Sequence, residues 1–189
     1  EEGITAYIYT GSYQLPPTTI SGNVRDDIIL INEIIGAGEI ALSDHRSSQP
    51  TVTDIRKIIA EARVGGMLSS KAGLVVFHIG DGERGIDYLE SIIDKTELPY
   101  RQVLPTHMNR NNKLLIKAIN YTKKGGYVHF TTSGNIDLDK KDPTRSSNAL
   151  KMMLDNNIPV EKITFSSDAR GSLPVFDDDG NFKEYVSVG

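Results

Sequence analysis

The stretch LVVFHIGDGERGIDYLESII, residues 74–93, reads as a strand, a turn and a helix in immediate succession. Leu74 to Ile79 make a short apolar run with β-branched and aromatic residues, the pattern of a strand covered on both faces. Gly80, Gly82 and Gly85 punctuate a tight turn, after which Ile86, Leu89 and Ile93 return at helical spacing. One βα unit is complete.

The same alternation runs along the chain. Strand-like runs are ITAYIYT (4–10), EIALSD (39–44), QVLPTH (102–107), YVHFTTS (127–133) and ITFSSD (163–168). Between them lie helical stripes: Val24, Ile28, Ile31 and Ile35; Ile55, Ile58, Ile59 and Ala62; Leu114, Leu115, Ala118 and Ile119; then Leu150, Met153 and Leu154. Thr53 and Asn111 are candidate caps, and the Gly36 region and Lys123-Lys124-Gly125-Gly126 are candidate stops. Strand alternating with helix at roughly 25 to 35 residues predicts right-handed βαβ units around a parallel sheet. Residues 133–147 are expected to loop over one end of that sheet. Asp177 to Asn181 read as a turn between two short strands, since the ligand spacing of a calcium loop is missing.

Composition narrows the function. A chain of 189 residues buries about 70% of its unfolded surface, enough for a core without staples. With no cysteine there are no disulfides, no thiolate zinc ligands and no cysteine nucleophile, which leaves His, Asp and Glu as candidate ligands. A net charge of −4 gives no general attraction for nucleic acid or anionic lipid. No run approaches the roughly 18 apolar residues of a membrane span, and the acidic start lacks the features of a secretion signal. A cytoplasmic protein with neither nucleic acid nor membrane as partner is expected.

Where the polar residues fall on each unit is more telling. The apolar runs finish in Ser43-Asp44-His45-Arg46, His78, Thr106-His107, Thr132-Ser133 and Ser166-Ser167-Asp168. In parallel α/β folds those C-terminal strand ends build the active face. Two imidazoles and a carboxylate are what a zinc-type site uses, although a histidine in such a place also serves as a hydrogen-bonded core residue. Arg46 and Arg110, on the same rim, suit an anionic substrate, with surface ion pairing as the plain alternative. His45 reads as a ligand, a supporting donor or a loop residue, and His129 as a packed or solvated one. Gly80 to Gly85 also fits G-x-G-x-x-G, but the next strand ends in Pro105-Thr106-His107 where a dinucleotide site needs an acidic residue.

Taken together YTGSY (9–13), SDHRS (43–47), VFHIGD (76–81), PTHMNRN (105–111) and SSD (166–168) resemble, in order and spacing, the isoaspartyl dipeptidases of the amidohydrolase superfamily. The resemblance runs across nearly the whole chain. It implies a (β/α)8 TIM barrel with a two-metal centre, usually zinc, whose activated hydroxide cleaves β-aspartyl dipeptides. About six βα units resemble strands 3 to 8, so residues 1–189 are expected to be an incomplete, metal-dependent hydrolase barrel domain, inactive alone. The N-terminal His-x-His strand and the C-terminal part of the family have no counterpart. Carried over, His78 and His107 are ligands of one metal, and Asp168 is a ligand of the other and the proton-transferring group. Tyr13 polarises the scissile carbonyl, while Arg46, Arg110 and Ser172 bind substrate. The apolar edges of an open six-strand piece add the expectation of a homo-oligomer. The rival readings are a non-catalytic scaffold needing a partner chain and an open domain binding a phosphorylated ligand at Gly80 to Gly85.

Many family members bridge their metals with a carboxylated lysine; the matching position here is Glu39. A glutamate supplies an anionic two-oxygen bridge and makes Glu39 the fourth candidate ligand. A strand beginning at Glu39 would set that carboxylate too low, and a shifted strand register would raise it.

Overall fold

Successive side chains of a strand face opposite sides, and that alternation separates core from site throughout the molecule. The computed structural model describes residues 3, 5–132, 142, 144–168, 171–177 and 181–188, with backbone alone at 171–174, 176 and 185–188. The strands are β1 (Ile8–Thr10), β2 (Ile34–Leu42), β3 (Leu74–Ile79), β4 (Val103–Thr106), β5 (Val128–Thr131), β6 (Ile163–Ser166), β7 (Gly171–Phe176) and β8 (Phe182–Val188). The helices are α1 (Val24–Leu30), α2 (Val52–Ser69), α3 (Asp87–Ile93), α4 (Asn112–Lys123) and α5 (Ser146–Asp155). Strands β1 to β4 form a parallel sheet in chain order, β5 and β6 a second parallel pair, and β7 and β8 an antiparallel hairpin. The chain is a mixed α/β protein with parallel sheets.

Val75, Phe77 and Ile79 of β3, Val103 of β4, and Val128 and Phe130 of β5 join Ile28, Ile55, Ile59, Leu89, Leu115 and Ala118 of the helices in one apolar cluster. Each fully buried Ile, Leu or Phe stabilises the fold by about 1.5–3 kcal/mol relative to exposure. The alternate residues His78, His129 and Thr131 therefore face away from this helix-covered layer. Gly65 of α2 lets α1 come close, since a Cβ there would lie 2.9 Å from the Arg25 carbonyl oxygen. Among the described residues no helix is long and apolar enough to cross a membrane.

Two local expectations are corrected. The stripe through Ile31 and Ile35 is not one helix: α1 stops at Leu30, Ile31 is its extended cap, and Ile34 and Ile35 open β2. A strand covered on both faces places apolar residues consecutively, and these continued the helical spacing by chance. The α2 cap is Thr51, in a reciprocal box with Asp54, so Thr53 lies inside the first turn. Asn111 does cap α4, its Oδ1 accepting from the Leu114 N–H at 2.9 Å. The Asp177 to Asn181 turn does join two strands, though residues 178–180 lie outside the described residues, as do 133–141 and 143 of the expected loop.

Candidate metal centre

An extra residue in β2 aims Glu39. Ala37 sits opposite Val75 but Ile40 opposite Phe77, so β2 uses one residue more than β3 across Gly38-Glu39. Such a bulge re-aims the side chains beside it. Gly38 has φ +142° and a Cβ there would lie 2.6 Å from the Val76 carbonyl oxygen, so only glycine fits. Tyr13 holds the other edge: its N–H donates to the Glu39 carbonyl, and its own carbonyl accepts from the Ala41 N–H at 2.8 Å. The strand starts at Ile34 and shifts register at Glu39, which together set the carboxylate beside the histidines.

Three ligand atoms, one each from Glu39, His78 and His107, lie within 4.8 Å of one another. Glu39 Oε2 is 3.1 Å from His78 Nδ1 and 4.0 Å from His107 Nε2, and the two imidazole nitrogens are 2.9 Å apart. Both histidines are buried, while the Glu39 side chain keeps 30% of its surface exposed. Two imidazoles and a carboxylate converging from adjoining strands fit a divalent cation of the zinc type. The nitrogens facing away are also held, as metal-binding histidines require. His78 Nε2 lies 3.2 Å from Asp44 Oδ2, and His107 Nδ1 meets the Thr131 hydroxyl.

Asp44 ties this cluster to a cation. Arg46 donates from Nε to Oδ1 at 2.9 Å and from Nη2 to Oδ2 at 2.8 Å, a two-pronged pair, and Nη2 also lies 3.0 Å from His78 Nε2. That pairing holds the Asp44 carboxyl well below the usual range. Burial opposes ionisation of Glu39, but His78 and His107 outweigh it and its pKa is lowered. Burial, reinforced by His78, pushes His107 down to about 3, which leaves its imidazole neutral near pH 7. The Tyr13 hydroxyl is 3.3 Å from His78 Nδ1, its pKa raised by burial, and the Arg46 guanidinium lies 5.0 Å from its ring centre. Arg110 sits on the same rim, with Nε donating to the Ile79 carbonyl at 3.0 Å and Nη2 at 3.5 Å from His78 Nε2.

The remaining candidates lie apart from the three-residue cluster. Asp168 is exposed at the end of β6, close enough for its charge to act on Tyr13 and His129. The side chain of Ser172 lies outside the described residues. His45 is exposed beside Asp44, and His129, half-buried on β5, pairs through Nε2 with the Ser166 hydroxyl. At the Gly80 to Gly85 turn the N–H groups of Gly80, Gly82 and Gly85 already donate to Leu42, Ser43 and Gly82 carbonyls, so those amides do not cradle a phosphate.

Sequence reading gave no role to Asp44, Asn109 or Thr131. Asp44 and Asn109 stand inside quoted motifs, and Thr131 follows His129 by two on the same strand face, which are the signals that point to them. Backbone geometry adds another: Tyr13, Ser43, His107 and Asp168 have φ between +50° and +60°, rare for residues with a side chain and concentrated here at strand ends around the cluster.

Fold and cluster together define an α/β protein in which Glu39, His78 and His107 form a group of the kind that can hold a metal ion. No family model matches the chain. A β-aspartyl dipeptidase from the thermophilic keratin-degrading Fervidobacterium islandicum AW-1, solved with β-Asp-Leu dipeptide, matches at 48% identity and a TM-score of 0.87 over 99% of this chain and 47% of that one. A further structure of β-aspartyl dipeptidase from that organism matches at 46% identity and 0.82, over 89% and 44%. The resemblance to the isoaspartyl dipeptidases is therefore one of sequence and of structure, and the chain spans about half the length of these relatives.

Proposed function

We propose that this chain supplies the metal-holding part of a hydrolase that cleaves β-aspartyl dipeptides. Its six parallel strands, β1 to β6, the first five each followed by a helix, correspond to strands 3 to 8 of a (β/α)8 barrel, and the greater length of the relatives leaves room for the other strands. The observation that carries the reading is the convergence of Glu39, His78 and His107 in a chain 48% identical to a β-aspartyl dipeptidase.

Glu39, His78 and His107 would hold zinc, with Glu39 as the bridging ligand and Asp168 completing a second position. Zinc bound there supplies a Lewis acid for the scissile carbonyl and a water of lowered pKa. Tyr13 points its hydroxyl into the cluster and donates to the oxygen on which charge develops. Arg46, already oriented by Asp44, and Arg110 hold the carboxylates of the dipeptide, helped by Ser172. Asp168 accepts the proton of the attacking water and returns it to the leaving amine. A cytoplasmic protein acting on small dipeptides, without nucleic acid or membrane, fits the charge and composition, and the edges of an open sheet fit a homo-oligomer.

Zinc uptake and peptide cleavage test this together. The dialysed protein is expected to take up zinc, and His78→Ala or His107→Ala to lose it. With the barrel complete, β-Asp-Leu is hydrolysed and α-Asp-Leu is not; Asp168→Asn keeps zinc and loses hydrolysis. Equal cleavage of both peptides, or zinc uptake indifferent to both histidines, refutes the assignment.

A further inference from the structure

We propose that Asn109 is a positioning residue whose side-chain amide spans the break between the two parallel sheets and, through Thr131, sets His107 with its proton on Nδ1 and Nε2 turned to the other ligands. The proposal deepens the metal reading of the site, on which its importance to function rests.

Among the described residues β4 and β5 share no ladder, and one backbone bond, Met108 N–H to the His129 carbonyl at 3.1 Å, joins the His107 segment to β5. Asn109 fills that gap. Its Oδ1 accepts from the Thr131 N–H at 2.9 Å and its Nδ2 donates to the Thr131 carbonyl at 3.0 Å, the paired bonds that a neighbouring strand residue would make. Nδ2 also donates to the Thr144 carbonyl at 3.0 Å, which secures the approach to α5. The side chain is buried, so it has no water to exchange these partners for. Both backbone groups of Thr131 are thus fixed, and its hydroxyl meets His107 Nδ1.

The neighbouring bonds settle the direction of that contact. The ionised Glu39 carboxylate, an acceptor, faces His78 Nδ1 at 3.1 Å, while Nε2 meets both a donor, Arg46 Nη2, and an acceptor, Asp44 Oδ2 at 3.2 Å, so the contact at Nδ1 decides. His78 Nδ1 therefore carries a proton and donates towards Glu39 and towards His107 Nε2, 2.9 Å away. His107 Nε2 is then the acceptor, and its own proton resides on Nδ1, donated to Thr131. The same tautomer presents the Nε2 lone pair that a cation takes.

Imidazole 15N shifts from long-range correlation spectra of the metal-free protein near pH 7.5 read the tautomer directly. Zinc affinity, measured by competition with a chromophoric chelator, reads its consequence. Wild type is expected to show His107 protonated on Nδ1. Asn109→Ala and Thr131→Val should shift His107 towards the Nε2-protonated form and weaken zinc about 10- to 100-fold, while Thr131→Ser retains the wild-type pattern. Should Asn109→Ala not fold, Asn109→Asp keeps the acceptor for the Thr131 N–H and loses both donations, and the same shift is expected. An Nε2-protonated His107 in wild type, or an unchanged tautomer in Thr131→Val, overturns the proposal. A wild type that binds no zinc, yet shows the Nδ1 proton displaced in Thr131→Val, upholds the positioning role and sinks the metal reading.

Discussion

Replacing Asp44 with asparagine should loosen both His78, the proposed metal ligand, and Arg46, the proposed substrate clamp, in one step. Asp44 Oδ1 accepts from Arg46 Nε at 2.9 Å and from the Arg46 N–H at 2.8 Å, so an amide oxygen placed there keeps both bonds. The amide nitrogen then replaces Oδ2, confronting Arg46 Nη2 and leaving His78 Nε2 without a carboxylate beside it. Hydrogen bonds to charged groups are worth about 1.5–3 kcal/mol each. The Arg46 side chain is 46% exposed and rehydrates in part, which reduces its share. A net loss of about 2–3 kcal/mol remains, which for a protein of this size lowers Tm by about 4–12 °C. Zinc affinity should fall about 10- to 100-fold because His78 loses its outer partner. Scanning calorimetry of the metal-free protein and chelator competition measure the two effects. A Tm within about 1 °C of wild type together with unchanged zinc affinity would refute the account of Asp44 as the link between cation and cluster.

Gly38→Ala introduces a Cβ that would sit 2.6 Å from the Val76 carbonyl oxygen at a φ that side chains rarely adopt; denaturant unfolding should show a loss of about 2–4 kcal/mol, and an unchanged midpoint would contradict the bulge geometry. If the proposed function holds, Tyr13→Phe in the completed barrel should lower kcat for β-Asp-Leu on the order of 100-fold with KM nearly unchanged, and a purely KM effect would show that the hydroxyl binds ground state only. Asp27 bears on acid stability. Burial opposes its ionisation, yet Ser21, Thr10 and the Ile20 N–H donate to it and hold its carboxyl below the usual range. That stabilisation is complete above the unfolded value of about 3.9 and is lost as pH falls through the lower folded value. The Tm gap between wild type and Asp27→Asn should stay constant from about pH 7 to 5 and narrow below about 4; a gap that widens on acidification would show the sign to be wrong.

Residues 74–93 announced a βα unit because a short continuous apolar run and a period-3.6 pattern follow each other there without overlap, and β3 and α3 fall inside the predicted bounds. At Ile31 to Gly38 the two patterns overlap, and only the competition between helix continuation and sheet pairing decided that β2 begins at Ile34. The amino-acid sequence by itself determined the order of strands and helices, the absence of thiol chemistry, and which histidines stand at strand ends, since these depend on side-chain type and near-neighbour spacing. The tertiary structure alone decided that Glu39 reaches His78 and His107, that Asp44 joins Arg46 to the cluster, and that Asn109 bridges two sheets. Those contacts depend on a one-residue slip between β2 and β3 and on partners as far apart in sequence as Glu39 and His107, and no local pattern encodes the distance between them.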